Sequence, residues 1–223
     1  MSTAYLESLR VVAYADALRE MTELAAARTQ GAVPDAVLLL EHQPVITLGS
    51  RAVRGEELTL GEQAYADHGI EIVEVGRGGR STYHGPGQLV CYPVLDLGER
   101  GRDLHAYVRG LETVIVRTLA EFEIEAAGAT RAHASGVWVD DRKIASIGVR
   151  CARWVTSHGF SINADLDLAV YELFDACGLG GARFTSVSAE TGRQVTPDDL
   201  REPVTRHLGE VFQLQFSPLP AVA

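Results

Sequence analysis

Short apolar runs alternate with amphipathic segments along this sequence, and this alternation limits the folds that the chain can adopt. The runs 36–41, 45–48 and 70–75 have the length and composition of buried or half-buried β-strands. Apolar residues recur at helical spacing over 14–30 and again over 103–121. A chain that mixes strands and helices in this way is expected to form a layered α/β fold.

The expected sheet is mixed rather than purely parallel. The segments 136–139 and 144–149 flank the tripeptide Asp-Asp-Arg at 140–142, which is rich in turn-forming residues. This pattern predicts a hairpin, and therefore an antiparallel pair of strands. The other expected strands cover 88–92, ended by Pro93, and 154–162.

Capping residues mark two further helices. Thr59 and Glu62 have the spacing of a capping box. Thr196-Pro197 places an N-cap residue before a proline at the first helical position, and predicts a helix to about residue 212. The sequence has no repeat of the solenoid type and no low-complexity linker. Residues 1–223 are therefore expected to form a single α/β domain with a mixed β-sheet and flanking helices.

Composition argues against several classes of protein. The formal net charge of −10 is unlike that of a general nucleic-acid-binding protein. No apolar run approaches the ~18 residues of a membrane-spanning helix, and the first residues lack a secretory signal pattern. The three cysteines have no CxxC spacing, which disfavours a disulfide framework or a cysteine zinc site. These features together predict a cytoplasmic protein.

Lysine occurs once in the chain. Of the 20 basic residues, Lys143 is a lysine and the other 19 are arginines. An ammonium group can lose its proton under accessible conditions, whereas a guanidinium cannot. The count has two interpretations: base-composition drift that spared one lysine, or a position whose chemistry requires a titratable amine.

The densest unusual segment is the glycine-rich stretch 76–93, with the sequence GRGGRSTYHGPGQLVCYP. Glycines allow a backbone to approach a ligand closely and to present consecutive N–H groups. The segment lacks the GxxxxGK[ST] order of a P-loop, and its GxG is followed by a predicted strand rather than a helix. Spacing alone leaves two interpretations open, a binding loop or a long irregular connection.

The same stretch resembles the signature of the octanoyltransferase family, the lipoyl(octanoyl) transferases of lipoate biosynthesis. It reads Arg77-Gly78-Gly79-x-x-Thr82-Tyr83-His84-x-x-Gly87-Gln88-x-Val90-x-Tyr92-Pro93. Four further blocks resemble family segments in the same order: 42–49 (HQPVITLG), 136–148 with Gly136-Val137-Trp138-Val139 and Lys143-Ile144-Ala145-Ser146-Ile147-Gly148, 158–163 (HGFSIN), and Ala176-Cys177-Gly178. The resemblance covers about residues 36–190.

The resemblance implies both a fold and a reaction. The fold is that of the catalytic domain of biotin and lipoate protein ligases. In the reaction, an octanoyl group leaves the phosphopantetheine thioester of acyl carrier protein and ends as an amide on a lysine of a lipoyl domain. The implied acceptors are the E2 subunits of 2-oxoacid dehydrogenases and the glycine cleavage H protein. The phosphopantetheine arrives with the carrier, so no metal, nucleotide or separate cofactor is implied, and we expect a monomer.

The resemblance also implies roles for particular residues. Cys177 is the nucleophile that forms an acyl-enzyme, and Lys143 stabilises its thiolate and acts as acid and base. These roles are chemically reasonable, because a neighbouring ammonium lowers the pKa of a thiol and can later exchange a proton. The implied substrate-binding residues are Arg77, Gly78, Gly79, Arg80, Ser81, Thr82, Tyr83, His84, Ser146, Ile147, Gly148, Gly159, Phe160 and Ser161.

The other cysteines and histidines are assigned no catalytic role. Cys91 and Cys151 are expected to be small buried hydrophobic residues. His84 is expected to shape the site or contact substrate, with a backbone-satisfied histidine as the alternative, and His158 is assigned no role. A zinc site built from His42, His84, His133 and His158 has no supporting ligand spacing.

Two other functions compete with octanoyl transfer. An ATP-dependent lipoate or biotin protein ligase shares the implied fold and a lysine in a similar segment, but it does not need a nucleophilic cysteine. A catalytically inactive module that binds acyl carrier or lipoyl domains is disfavoured, because Lys143, Cys177 and the glycine-rich stretch are all present.

The implied partners, acyl carrier protein and lipoyl domains, are typically acidic, and this chain is acidic too. Net charge cannot supply that attraction, so a local basic patch is required. The arginines that cluster near the motifs in sequence are the candidates: Arg51, Arg54, Arg77, Arg80, Arg150 and Arg153.

Overall fold

The computed structural model of the protein describes residues 2–129, 135–176 and 182–219. Within these ranges the strands are β1 (Ser2–Val12), β2 (Asp35–His42), β3 (Val45–Leu48), β4 (Glu71–Glu74), β5 (Ser81–His84), β6 (Gln88–Val94), β7 (Ala127–Gly128), β8 (Gly136–Val139), β9 (Arg142–Ala152), β10 (Val155–Asn163), β11 (Arg183–Phe184) and β12 (Leu214–Pro218). The helices are α1 (Tyr14–Thr29), α2 (Arg54–Glu57), α3 (Glu62–Asp67), α4 (Leu104–Ala120), α5 (Val187–Thr191) and α6 (Pro197–Phe212).

The large sheet has the strand order β12-β1-β2-β6-β10-β9-β8-β7, and β11 pairs with β9 outside this path. Strand β1 runs parallel to β2 and β12, and β11 runs parallel to β9. The pairs from β2 through β6, β10, β9 and β8 to β7 are antiparallel. The predicted α/β fold with a mixed sheet and flanking helices is therefore confirmed.

The large sheet is covered on both faces. Helices α4 and α6 pack on one face, where residues such as Leu89, Leu111 and Ile162 form the main core. Helix α1 packs on the other face through Ala17 and Met21. The two faces follow from strand alternation, because successive side chains of β6 point to opposite sides.

A second, small sheet has the strand order β4-β3-β5, and its strand β5 belongs to the glycine-rich stretch. Its strands are backed by a separate apolar cluster that includes Ile46, Tyr65 and Tyr83. Strands β1, β5 and β12 were not predicted from the sequence, and β5 lies inside the glycine-rich stretch. Strand β5 forms because its four residues pair antiparallel with the buried strand β3.

Two expected boundaries are wrong. Strand β6 does not end before Pro93 but continues to Val94. Pro93 is tolerated because the ladder from β6 to β10 ends at Cys91, and the proline ring lies against Gly159 at that point. The expected capping box is also absent, because the Thr59 hydroxyl donates to the Leu173 carbonyl and helix α3 starts only after Gly61.

The other helices lie close to their predicted positions. Helix α4 begins after Asp103, whose side chain accepts a hydrogen bond from the Ala106 N–H. Helix α6 begins at Pro197 after a capping box formed by Thr196 and Asp199. In the described part of the chain, no helix is both long enough and apolar enough to cross a bilayer.

Candidate active site

A cavity of about 470 Å³ is lined by residues of both sheets. This volume is within the range of small-molecule binding sites. Most residues of its wall belong to the predicted site: Arg77, Gly79, Arg80, Ser81, Thr82, His84, Lys143, Ser146, Ile147, Gly148, Gly159, Phe160 and Ser161. The wall also contains Arg51, Tyr92, Ser135 and His158, which were not predicted as substrate-binding residues.

Strand pairing brings separate blocks of the sequence into one wall. In the antiparallel pair β9–β10, Ser146 lies opposite Ser161 and Gly148 lies opposite Gly159. The two blocks are separated by the rest of the hairpin along the chain, yet the pairing places them side by side. The predicted segments 146–148 and 159–161 therefore form a continuous surface.

Lys143 is buried in this wall, with only 2% of its surface exposed. Its ammonium nitrogen lies 5.7 Å from the centre of the Trp138 ring, within cation–π range. Gly136 makes room for the lysine stem, because a Cβ at that position would lie 2.8 Å from Lys143 Cε. The Lys143 carbonyl accepts a hydrogen bond from the Thr185 N–H, which ties the lysine strand to the segment after residue 181.

Arg77 holds the glycine-rich segment in place. Its guanidinium donates to the carbonyl and hydroxyl oxygens of Thr47 and to the carbonyl oxygen of Arg80. Gly148 allows this approach, because a Cβ there would lie 2.9 Å from Arg77 Cδ. Arg77 is therefore mainly a structural clamp, with its guanidinium committed to backbone and side-chain acceptors of this chain.

Two predicted binding residues do not line the cavity. The Tyr83 side chain packs in the cluster behind the small sheet, with its ring 6.5 Å from that of Tyr171. The Gly78 N–H donates to the Val149 carbonyl and so joins the glycine-rich segment to β9. Strand alternation explains Tyr83, because its neighbours Thr82 and His84 face the cavity.

Cys177 and His133 lie outside the described residues. The structure does describe the chain on both sides of residues 177–181, which are called the Cys177 segment below. The Asp175 carbonyl accepts a hydrogen bond of 3.1 Å from the Ser81 hydroxyl, and Ser81 lines the cavity. On the other side, β11 pairs with Arg142 and Lys143. Both flanks of the Cys177 segment therefore contact elements of the cavity wall.

The other two cysteines do not line this cavity. Cys91 is buried in the main core, as predicted, and burial raises the pKa of its thiol well above the ordinary value. Cys151 is only partly buried on β9, and burial is also the main reason that its thiol pKa is raised. Neither thiol is activated by its surroundings.

A group of buried imidazole and phenol side chains lies at the cavity wall, and its assembly was not predicted from the sequence. The His42 ring lies 5.6 Å from that of His84, and its Nε2 lies 2.8 Å from the Tyr92 hydroxyl. The Tyr14 hydroxyl lies 3.3 Å from His158 Nε2. The alternation along β6 was the available signal, because it places Tyr92 on the α1 face.

These imidazoles are held in the neutral form. Burial lowers the pKa of His42 to about 4. Burial, with the Arg77 and Arg150 charges, lowers the pKa of His158 to about 3. Burial and then the neighbouring His42 lower the pKa of His84 well below its usual value. Among the described residues, no group of three or more His, Cys, Asp or Glu side chains is arranged to hold a metal ion.

Comparison with solved structures identifies the fold. The chain superimposes on a putative lipoate protein ligase from T. acidophilum with bound lipoic acid, with a TM-score of 0.76, 15% identity, and coverage of 99% of this chain and 90% of that one. It also superimposes on biotin protein ligase from Aquifex aeolicus in complex with biotin and ATP, with a TM-score of 0.59, 15% identity, and coverage of 94% and 70%. At these identities the likeness concerns the fold alone.

Sequence comparison identifies the family. The model of the lipoyl protein ligase A/B catalytic domain matches residues 13–209. An octanoyltransferase of Solibacter usitatus is 43% identical over 223 residues, covering 100% of this chain and 99% of the relative. An octanoyltransferase of Geobacter sp. (strain M21) is 46% identical over 194 residues, covering 87% and 90%. The chain therefore belongs to the octanoyltransferase family, the acyltransferases that transfer octanoyl groups in lipoate biosynthesis.

Proposed function

We propose that this protein takes octanoyl from the phosphopantetheine thioester of acyl carrier protein and transfers it to a lysine of lipoyl domains. The acyl group passes through a thioester on Cys177. The lipoyl domains are those of 2-oxoacid dehydrogenase E2 subunits and of the glycine cleavage H protein. The observation that carries the proposal is the position of Lys143, buried in a cavity wall that both flanks of the Cys177 segment contact.

Acylation needs a thiolate and an acid. The Cys177 thiolate attacks the carbonyl carbon of the octanoyl thioester, and the bond from that carbon to the carrier sulfur breaks. The carrier sulfur leaves with a proton from the Lys143 ammonium, so the lysine becomes neutral. The ammonium also stabilises the Cys177 thiolate before the attack, because an opposite charge favours the ionised form of a thiol.

Transfer to the acceptor reverses the role of Lys143. The nitrogen of the incoming lysine attacks the carbonyl carbon of the acyl-enzyme, and the carbon–sulfur bond to Cys177 breaks. The proton that the nitrogen loses goes to Lys143, which restores the ammonium and the thiolate. An arginine cannot take part in this exchange, because it does not give up its proton.

The cavity wall supports an acyl substrate. Ile147 and Phe160 contribute apolar surface to a wall whose remaining residues are mainly small or polar. The scheme uses side chains of this chain and the arm carried by the substrate, so no resident cofactor takes part. We further infer that the protein acts as a monomer in the cytoplasm.

Intact-protein mass spectrometry tests the proposal directly. The protein is mixed with octanoyl-acyl carrier protein in the absence of ATP, in parallel with a Cys177→Ala variant. The expected result is one octanoyl adduct on the unmodified chain, none on the variant, and loss of the adduct when a lipoyl domain is added. An adduct that survives in Cys177→Ala contradicts the assignment of the nucleophile.

The same experiment separates transfer from ligation. A reaction with free octanoate and ATP in place of the carrier thioester is the matched control. Modification of the lipoyl domain only under those conditions would identify an ATP-dependent ligase. The family assignment predicts the opposite result, modification only from the carrier thioester.

A further inference from the structure

The hydrogen-bond pattern around His84 determines which of its ring nitrogens carries the proton. Gln88 Nε2 donates to Asn163 Oδ1 at 2.9 Å and to the Tyr83 carbonyl at 3.2 Å, so the Gln88 amide orientation is set by two acceptors. Gln88 Oε1 lies 2.7 Å from His84 Nδ1 and can only accept. His84 Nδ1 therefore carries the proton, and Nε2 carries a lone pair.

The Nε2 lone pair of His84 is available on the cavity side. His84 lines the cavity, and its Nε2 makes no hydrogen bond within the part of the chain that the structure describes. The residue is 7% exposed, so the lone pair is held in a largely desolvated wall. A neutral imidazole in this tautomer is a hydrogen-bond acceptor and suits a ligand that brings an N–H or O–H donor.

A chain of hydrogen bonds connects this acceptor to the backbone of Lys143. It runs from His84 through Gln88 to Asn163, whose Nδ2 donates to the Thr185 carbonyl at 2.9 Å. The Thr185 N–H in turn donates to the Lys143 carbonyl at 3.0 Å. The backbone of Lys143 and the ring of His84 are thus connected through three intermediate residues, and both residues line the same cavity.

We propose that His84 Nε2 accepts a hydrogen bond from the incoming lysine amine of the acceptor domain and so orients that amine for attack. The inference rests on the proposed function, and it gives His84 a role in the second half-reaction only. After acylation the carrier and its phosphopantetheine arm have left, and the octanoyl group that remains has no hydrogen-bond donor. The amine that attacks it has two N–H groups and a lone pair to direct.

The proton count is consistent with this role. One N–H proton of the neutral amine passes to Lys143 as the carbon–nitrogen bond forms and the carbon–sulfur bond to Cys177 breaks. The second N–H remains in the amide product and donates to His84 throughout. His84 therefore orients the nucleophile without gaining or losing a proton.

Two substitutions separate this role from a structural one. His84→Asn places an amide near the Nδ1 position, where it can still donate to Gln88, but it removes the acceptor at Nε2. His84→Gln extends its amide to the Nε2 position, where its oxygen can accept, but it loses the Gln88 contact. Both variants are compared with the unmodified chain for thermal stability and in two single-turnover reactions.

The two reactions are acylation by octanoyl-acyl carrier protein and discharge of the isolated octanoyl-enzyme to a lipoyl domain. We expect His84→Asn to be acylated at close to the unmodified rate and to be discharged about tenfold more slowly at saturating lipoyl domain, the effect of one lost hydrogen bond. His84→Gln should recover part of that rate. Discharge to a thiol, which has no N–H, should be unaffected by either substitution.

Three results would overturn the inference: unchanged discharge in His84→Asn, equal slowing of both half-reactions, or equal slowing with a thiol acceptor. The second would show that both half-reactions need the His84 ring equally, so that its role is not specific to the incoming amine. If the unmodified protein forms no adduct at Cys177, the proposed function itself fails. The three results above overturn only the role of His84, so the two failures are distinguishable. If His84→Asn does not fold, the inference is overturned when His84→Gln is discharged at less than about a tenth of the unmodified rate.

Discussion

Lys143 is the only lysine of the chain, and its side chain is buried in the cavity wall. Lysine is rarely buried completely unless it is paired or functional. Its place beside the Trp138 ring, in the wall of a cavity, favours the interpretation that this position requires a titratable amine over base-composition drift.

We expect Lys143→Arg to retain the fold and lose transfer activity. The substitution keeps a positive charge near the proposed thiolate but removes the group that exchanges a proton. General acid–base catalysis typically contributes about 100-fold or more to a rate, so a loss of at least that size is expected in single-turnover transfer. Transfer at more than a tenth of the unmodified rate would remove Lys143 from the acid–base role.

The buried imidazoles make stability depend on pH in a defined direction. His42 has a pKa of about 4 in the folded chain, below the usual value of about 6.5 for the unfolded chain. As the pH falls below about 6.5, the unfolded chain binds a proton that the folded chain does not. The free energy of unfolding therefore decreases from pH 6.5 towards pH 4.

His42→Gln tests that dependence. Glutamine keeps a polar side chain near Tyr92 but does not titrate. Between pH 6.5 and 5 the free energy of unfolding of the unmodified protein should decrease by about 1.5 kcal/mol more than that of the variant. Denaturant unfolding at both pH values measures the difference, and parallel curves for the two proteins would contradict a neutral, buried His42.

At the scale of elements, the hairpin β8–β9 positions the lysine. The register shifts between Val137 and Trp138, and this irregularity lies opposite the segment that begins at Lys143. Gly136, at the start of β8, has a φ of 140°, and a Cβ there would lie 2.4 Å from the Ala145 carbonyl oxygen. A side chain at this position would displace the strand that bears Lys143.

Gly136→Ala should therefore reduce the rate of octanoyl transfer by a larger fraction than it reduces the free energy of unfolding. The displaced atoms include Lys143 Cε as well as backbone, so a loss of about tenfold or more in kcat is expected, because catalysis is sensitive to misplacement of about 1 Å. Gly55→Ala is the matched control, because a Cβ at Gly55 meets no atom within 4 Å. Equal activity of the two variants would show that Gly136 does not position the lysine.

The elements that sequence pattern predicted well are those whose own residues determine them. Helices α4 and α6 have strong apolar stripes and capping residues, and both lie close to their predicted ranges. Strands β1, β5 and β12 were missed because their formation depends on partners elsewhere in the chain. The end of β6 was misplaced for a related reason, since a proline is excluded from a strand only where a partner needs its N–H.

At the scale of the whole molecule, the protein is acidic but the cavity wall carries three arginines. Arg77 is committed to the Thr47 contact, and Arg80 forms an ion pair with Glu57. Neither guanidinium is therefore the first candidate for docking an acidic partner.

Arg54, another candidate for the docking patch, forms ion pairs with Glu62 and Glu74. Three candidates are exposed and have no ion-pair partner within the described residues: Arg51, Arg150 and Arg153. Of these, Arg51 lines the cavity, so it is the best-placed charge for an acidic carrier.

Arg51→Glu should raise the KM for octanoyl-acyl carrier protein by about fivefold, which corresponds to the ~1 kcal/mol that an exposed charge pair contributes. The effect should shrink at high salt. Arg109→Glu, on helix α4, makes the same change in net charge away from the cavity and is the control. An equal KM for the two variants would exclude a docking role for Arg51.

The fold class, the family resemblance and most residues of the cavity wall could be predicted from the amino-acid sequence. Local pattern and motif order carry that information, because short-range spacing sets secondary structure and motif residues keep their order along the chain. Three features became visible only in the folded chain: Tyr83 faces away from the cavity, Arg77 holds the glycine-rich stretch in place, and Tyr92 and His158 line the site. These outcomes depend on which face of a strand meets which neighbour. The position of the proton on His84 depends on the tertiary structure for the same reason. It follows from the orientation of the Gln88 amide, and that orientation is set by Asn163, which lies 75 residues after Gln88 in the chain.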